Sequence, residues 1–208
     1  MGHSIHAKSA GFAWKKAVQL VLAQGKLVFD GPKSLREVLG VVTEVADPQF
    51  VDAVVATHGD RSTVEFMKKN FLGRTPVAAW GYSYGMRIRD FDGVDQFNAA
   101  IKKLQKNPET KSATMSFLFP PHDDKHMPCI VSLDFKVRRG KLFAYAFLRS
   151  HDALKKFYAD VLALGALMRK AARQLHVRVG ALTLFSVSLH VYEEDIPGLK
   201  SLFGRINK

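Results

Sequence analysis

Apolar residues recur at helical spacing over residues 13–23, where Trp14, Val18, Val21 and Leu22 share one side and Gly25 supplies a stop. Residues 38–45 are β-branched and apolar between Pro32 and Asp47-Pro48, which predicts a buried strand. Ser62 and Thr63 stand at the N-cap position of a short helix carrying Glu65, Phe66, Met67 and Phe71, closed by Gly73. The stretch Trp80-Gly-Tyr-Ser-Tyr-Gly85 is either a ligand wall or a glycine-rich connection, and helical spacing resumes over 94–104 with Val94, Phe97, Ile101 and Leu104. Residues 130–137 alternate, Arg138-Arg139-Gly140-Lys141 makes a turn, and 142–148 returns as the second arm of a hairpin. Ser150 or Asp152 then caps a long helix to about Leu175, with Leu154, Phe157, Val161, Leu164, Leu167, Met168 and Ala171 as one apolar stripe. Residues 179–192 close the pattern as a long strand or a pair of strands. The class is α+β, with a sheet on one side and one long central helix.

A length of 208 residues suits one domain, 1–208. The apolar runs are far below the length that spans a bilayer, so no membrane segment is expected. The first ten residues lack the apolar region of a secretion signal, which leaves a cytoplasmic address by default. One cysteine cannot form an internal disulfide and leaves a free thiol to explain. Thirty-one Lys and Arg against 19 Asp and Glu give a net charge of +12, which favours anionic partners without naming a reaction. The basic pairs are scattered along the chain as on a solvated surface, so a nucleic-acid partner is not the expectation.

Cys129 follows Pro128 and precedes a predicted strand, at a strand mouth. A free cysteine packs as a small hydrophobe unless an electropositive setting lowers its pKa, and Arg149 on the paired strand could supply that charge. Ser186, Ser188, His190 and Tyr192 alternate along one strand face, a polar row that either hydrogen-bonds a sugar or meets solvent. Arg149-Ser150 stands where a strand gives way to a helix, a place suited to a phosphate or to capping and salt bridging. Asp160, among apolar neighbours in the long helix, is either on the exposed stripe or held inside for a ligand.

In order along the chain, Pro128-Cys129, Gly140-Lys141-Leu142, Arg149-Ser150-His151-Asp152, Val179-Gly180 and Ser188-Leu189-His190-Val191-Tyr192 resemble the carboxyl-terminal half of the thymidylate synthase family. The string is most similar to the short archaeal-type branch. Tyr84-Gly85-Met86-Arg87, Asp95-Gln96 and Asn107-Pro108 resemble further family landmarks, and the first eighty residues fit less well. The resemblance implies a mixed β-sheet packed on the long helix, with the sheet at a homodimer interface. It implies one-carbon transfer to C5 of a pyrimidine nucleotide 5′-monophosphate, with 5,10-methylene-tetrahydrofolate as donor. Cys129 would add to C6; Arg149 and Ser150 would hold the phosphate, His190 and Tyr192 the ribose hydroxyl, and Asp152 the base or the thiolate loop, with Tyr84 at the substrate. The family's proton-handling glutamate lies on an early helix; Glu65 is the candidate and Glu44 its competitor.

Some positions depart from the family pattern. Counted from Arg149, the family's base-reading asparagine falls on Asp160, which as a carboxylate can only accept. Related cytidylate hydroxymethylases are similar in this, so a cytosine nucleotide (CMP or dCMP) is expected, with hydroxymethylation favoured over methylation. The paired phosphate-binding arginines contributed by a partner subunit fall on Lys111 and Ser112. The last residues, Arg-Ile-Asn-Lys, differ from the apolar tail that closes over folate in many relatives. The alternatives are a thymidylate synthase acting on dUMP, or a catalytically reduced relative that binds nucleotides or nucleic acid through its +12 surface.

Overall fold

The computed structural model describes residues 2–48, 51–123 and 126–199. Strand β1 (His3–Ala7) leads into α1 (Ala10–Gln24), which buries Ala13, Trp14, Ala17, Val18 and Val21 and ends where the N–H of Gly25 bonds Val21 O. Next, β2 (Lys26–Asp30) folds back on β3 (Lys33–Val45), a strand of which the predicted 38–45 is only the second half. β1 and β2 lie end to end along one edge of β3, the first parallel and the second antiparallel to it. β2 escapes sequence reading because it has no buried face: Leu27 and Phe29 are exposed.

Two helices follow, α2 (Ala53–His58) and α3 (Arg61–Leu72). Ser62 and Thr63 are not the cap of α3. Asp60 is, its carboxylate accepting from both their backbone N–H groups and both hydroxyls, because a carboxylate in front of the first turn reaches the free N–H groups that a residue within it cannot. α4 (Tyr84–Arg89) starts within the Trp80 to Gly85 stretch, and Asp95 caps α5 (Gln96–Lys106), which begins two residues later than the predicted 94–104.

The rest is strands around one helix. β4 (Thr114–Ser116) edges a hairpin of β5 (Ile130–Arg138) and β6 (Lys141–Leu148), whose two-residue turn places Arg139 (φ 50°) and Gly140 (φ 69°) in the left-handed region that tight hairpins need. β7 (His151–Asp152) comes next, then α6 (Phe157–Leu175) and β8 (Arg178–Tyr192). Neither Ser150 nor Asp152 caps α6. The chain first pairs His151 and Asp152 with Leu189 and His190, and Asp152 Oδ1 accepts from the N–H groups of Leu154 and Lys155 in the turn that follows.

The sheet is mixed, in the order β1-β3-β8-β6-β5-β4, with β2 on β3 and β7 on β8. β8 runs antiparallel to β3 and parallel to β6 and β7. Against it lies α6, whose Phe157, Val161, Leu164, Leu167 and Met168 are fully buried, each worth about 1.5–3 kcal/mol in removing apolar surface from water. Gly165 lets the helix pass close to the 45–48 segment, since a Cβ there would stand 2.2 Å from Pro48 O. The α+β class, with a mixed sheet against one long helix, is the fold observed. Among the described residues, no helix is long and apolar enough to cross a membrane. The terminal Arg-Ile-Asn-Lys lies outside the described residues.

Candidate active site

Cys129 precedes β5 in a loop that neighbouring side chains hold in place. The Tyr82 hydroxyl donates to His126 O (3.0 Å), and the Tyr84 hydroxyl accepts from Ile130 N (3.1 Å). Arg149 donates through Nη2 to Met127 O (2.7 Å) and through Nε to Pro128 O (3.0 Å), while its backbone N–H bonds Cys129 O (2.9 Å). Cys129 is exposed between buried Pro128 and buried Ile130, so the thiol opens to solvent on one side and is crowded by protein on the others.

That crowding decides the electrostatics. Burial pushes the thiol pKa above its ordinary value, Asp160 and Asp152 push it further, and Arg149 and Lys156 pull it back without prevailing. Arg149 supplies charge of the sign suggested by its place on the paired strand, but desolvation and the Asp160 carboxylate outweigh it.

The aromatic stretch is a wall of this loop rather than a bare connection. Tyr84 stacks on Phe71 (4.5 Å, 18°) and meets Phe117 edge-on, and its N–H bonds Asn70 Oδ1. Gly85 permits this packing, because a Cβ there would stand 1.8 Å from Gly73 O. Burial raises the Tyr84 hydroxyl well above the ordinary phenol value, with Cys129 and Asp160 adding to it, and raises Tyr82 to about 12. Behind Tyr82 lies Arg87, its guanidinium carbon 3.5 Å from the ring centroid and its nitrogens bonded to Asp123 and Phe117 O.

Asp160 is held inside, 5% exposed. Its Oδ2 lies 3.5 Å from His151 Nε2, and its Oδ1 has no hydrogen-bond partner among the described residues. On β8, Ser186 Oγ lies 3.0 Å from His151 Nδ1 and Ser188 Oγ 3.3 Å from His190 Nδ1, and the His190 ring meets Tyr192 edge-on at 5.2 Å. Burial lowers the His190 pKa, partly offset by Asp152, and burial raises that of Tyr192. Ser150 is half-buried beside Arg149; since α6 begins only at Phe157, the helix N-terminus does not adjoin this pair as expected.

Three candidates stand apart. Glu65 lies on the exposed side of α3, paired with Lys68 (3.0 Å), and Glu44 is half-exposed beside His6 (3.7 Å). Lys111 is exposed in the turn before β4, its carbonyl accepting from Lys136. None is among the charges that act most strongly on Cys129. The early-helix periodicity could not tell which side of α3 faces the loop. Tyr82, Lys156 and His151 were not singled out as site residues; His151 sits inside the Arg-Ser-His-Asp string, whose pairing with β8 was the available signal.

A mixed sheet backed by a buried helix, with a thiol, buried tyrosines and carboxylates gathered where β5, β6, β7 and α6 meet, defines the class as an α+β enzyme with its site at a sheet end. The chain belongs to the thymidylate synthase family, whose model matches residues 36–208, and is thereby a one-carbon transferase of pyrimidine nucleotides. Similar proteins, provisionally described as thymidylate synthases, occur in archaea. One from Methanosarcina barkeri is 28% identical, covering 100% of this chain and 97% of its own length. One from Methanothermobacter thermautotrophicus is 30% identical (93% and 95%), and one from Methanopyrus kandleri 26% (94% and 95%).

Proposed function

We propose that this enzyme transfers a one-carbon unit to C5 of a cytosine nucleotide 5′-monophosphate through an adduct between Cys129 and C6, with hydroxymethylation favoured over methylation. The observation that carries the base preference is the orphaned Oδ1 of buried Asp160. An acceptor buried without a donor costs about 1–3 kcal/mol, a cost sensible where a ligand supplies the donor. Cytosine presents an amino donor at C4, whereas uracil presents a carbonyl acceptor.

The thiol loses its proton and forms the S–C6 bond, which makes C5 nucleophilic toward the one-carbon unit that a bound donor would supply; the C5 proton then leaves, water would provide the hydroxyl oxygen of a hydroxymethyl product, and the C6–S bond breaks and returns the thiolate. Arg149 and Lys156 favour the thiolate, and Tyr84, protonated by its burial, keeps an O–H to donate. Arg149 and Ser150 are assigned to the phosphate, His190 and Tyr192 to the ribose, and Asp152 to the loop and base. Half-buried Phe66, Trp80 and Tyr82, with Trp80 in ring contact with each of the other two beside the Cys129 loop, fit the flat pterin of methylene-tetrahydrofolate, which would supply the one-carbon unit. A free thiol suits a reducing, cytoplasmic setting.

The outer face of the sheet supports a homodimer. Tyr145, Phe147, Phe185 and Val187 are exposed there, with Phe147 and Phe185 stacked at 5.5 Å, a patch that solvent alone does not favour. Sedimentation equilibrium should give twice 23.2 kDa, and Phe147→Asp should give the monomer. In such a dimer Lys111 would reach the partner's phosphate in place of an arginine.

The test is tritium release from C5-labelled CMP, dCMP, UMP and dUMP. Release from a cytosine nucleotide is expected; release from dUMP with both cytosine nucleotides ignored would overturn the base assignment in favour of the second reading, dUMP, which the relatives' description favours. Asp160→Asn should shift preference toward uracil. It should also let iodoacetamide alkylate Cys129 at lower pH, since it removes the carboxylate that acts most strongly on the thiol. An alkylation profile unmoved by Asp160→Asn would contradict that coupling.

A further inference from the structure

His151 is a histidine with almost no solvent, 1% exposed, and three elements close on its ring. β7 seats it opposite Leu189 on β8. The first turn of α6 offers Phe157, whose ring stacks on the imidazole at 4.7 Å and 20°, and Asp160, three residues on and so on the same side of the helix, whose Oδ2 stands 3.5 Å from Nε2. β8 offers Ser186, whose Oγ lies 3.0 Å from Nδ1. The remaining hydrogen-bonding capacity is unspent: among the described residues, neither His151 Nε2 nor Asp160 Oδ1 has a formed partner. At 3.5 Å the Nε2 to Oδ2 contact is an ion-pair distance longer than a formed N–H to oxygen bond, as is common in a site that tightens when its substrate arrives.

We propose that His151 is a positioning residue that makes Asp160 a reader of cytosine, with Ser186 donating to Nδ1 in the tautomer that does so. This rests on the cytosine reading above and names the group that sets it. The imidazole can place its proton on either nitrogen. With the proton on Nε2, the ring donates toward Oδ2 and accepts the Ser186 hydroxyl proton at Nδ1; Asp160 remains an acceptor and its free Oδ1 meets an amino group. With the proton on Nδ1, the lone pair of Nε2 faces Oδ2. Two acceptors at that distance are compatible only when Oδ2 carries a proton and donates it to Nε2, which leaves Oδ1 a neutral carbonyl oxygen and a weaker acceptor for an amino group. The charged oxygen of Asp160 attracts the ring proton more strongly than the neutral Ser186 hydroxyl does, which selects the first arrangement. Cys129 and Tyr84 both sense the Asp160 charge, so the state chosen by His151 is presented beside the reacting thiol.

The experiment compares kcat/KM for C5-tritium release, the better of CMP and dCMP against the better of UMP and dUMP, in the wild type and in His151→Asn, His151→Gln and Ser186→Ala. A glutamine amide can reach the Nε2 position and restore the donor; an asparagine amide reaches only Nδ1. His151→Asn and Ser186→Ala should lower the cytosine-to-uracil ratio by about tenfold or more, the size expected when one charge-assisted contact is withdrawn, and His151→Gln should retain most of it. A purely structural histidine would depress both substrates together and leave the ratio unchanged, which overturns the proposal. A wild type that prefers uracil overturns the cytosine reading and this inference with it; one that prefers cytosine while every variant keeps its ratio overturns the inference alone. Nitrogen chemical shifts of the His151 ring in the unmodified protein decide the matter if the variants do not fold: a protonated Nε2 is expected, and a protonated Nδ1 overturns it.

Discussion

Cys129→Ser should abolish C5-tritium release, by about 10⁴-fold or more, with the fold intact. The hydroxyl fits where the thiol was, so the loop held by Tyr82, Tyr84 and Arg149 has no reason to move. Because the residue opens to solvent on one side and the exchange is nearly isosteric, unfolding stability should change by no more than about 1 kcal/mol. What serine lacks is an accessible anion. Burial and two carboxylates already hold the sulfur above its ordinary pKa, and an alcohol in the same field ionises far less readily. The same raised value gives the wild type a pH signature. The thiolate is scarce at neutral pH and grows as pH climbs, so kcat/KM should rise through the neutral and alkaline range, and alkylation by iodoacetamide should rise in parallel. Serine activity comparable with the wild type would remove Cys129 from the mechanism.

Arg87→Met should be the most damaging single change to stability, costing about 3–5 kcal/mol in urea denaturation, the range for breaking a buried ion pair by removing one partner. Arg87 and Asp123 are 6% and 1% exposed. The guanidinium bonds both carboxylate oxygens and Phe117 O, and Asp123 Oδ2 also accepts from Phe119 N. Without the arginine, Asp123 is left charged and buried. Burial raises its pKa, and in the folded protein the Arg87 hydrogen bond overcomes that to hold it below the usual carboxylate range. A carboxylate lowered on folding contributes stability above its unfolded pKa and loses it as pH falls through the folded value. The wild type should therefore weaken on the acid side below about pH 4, whereas in Arg87→Met this loss should vanish or reverse. Arg87→Met combined with Asp123→Asn should recover part of the cost. Since Tyr82 packs against Arg87 and ties the Cys129 loop, activity should also fall in folded Arg87→Met protein.

Local patterns along the chain determined much of this protein. Alternation with a turn at Arg139-Gly140 specifies the hairpin, because both arms and their turn lie within one short stretch. One apolar stripe specifies α6, and the run over 179–192, in which a polar row of Ser186, Ser188, His190 and Tyr192 alternates with apolar residues, specifies a long strand or a pair of strands where β8 lies. The ordered strings from Pro128 to Tyr192 specify the family, since their spacing survives whatever the elements between them do. Edge strands, short strands and the orientation of charged groups were beyond the same reasoning. β2 buries nothing, and β7 exists only because β8 is there to pair with it. Periodicity put Glu65 on a helix, but packing turned its carboxylate outward to Lys68. Arg149 carries the charge expected of it, yet whether a thiol ends acidic depends on how much protein surrounds it and which carboxylates stand near, quantities that are sums over distant parts of the chain. Helical periodicity fitted Asp160 equally to a surface or a site, and only the family resemblance pointed to the base. Only the meeting of β7, α6 and β8 around His151 decided that it lies inside, with one oxygen lacking a donor, because a side chain's hydrogen-bonding partners are set by what folding brings beside it and not by its neighbours in sequence.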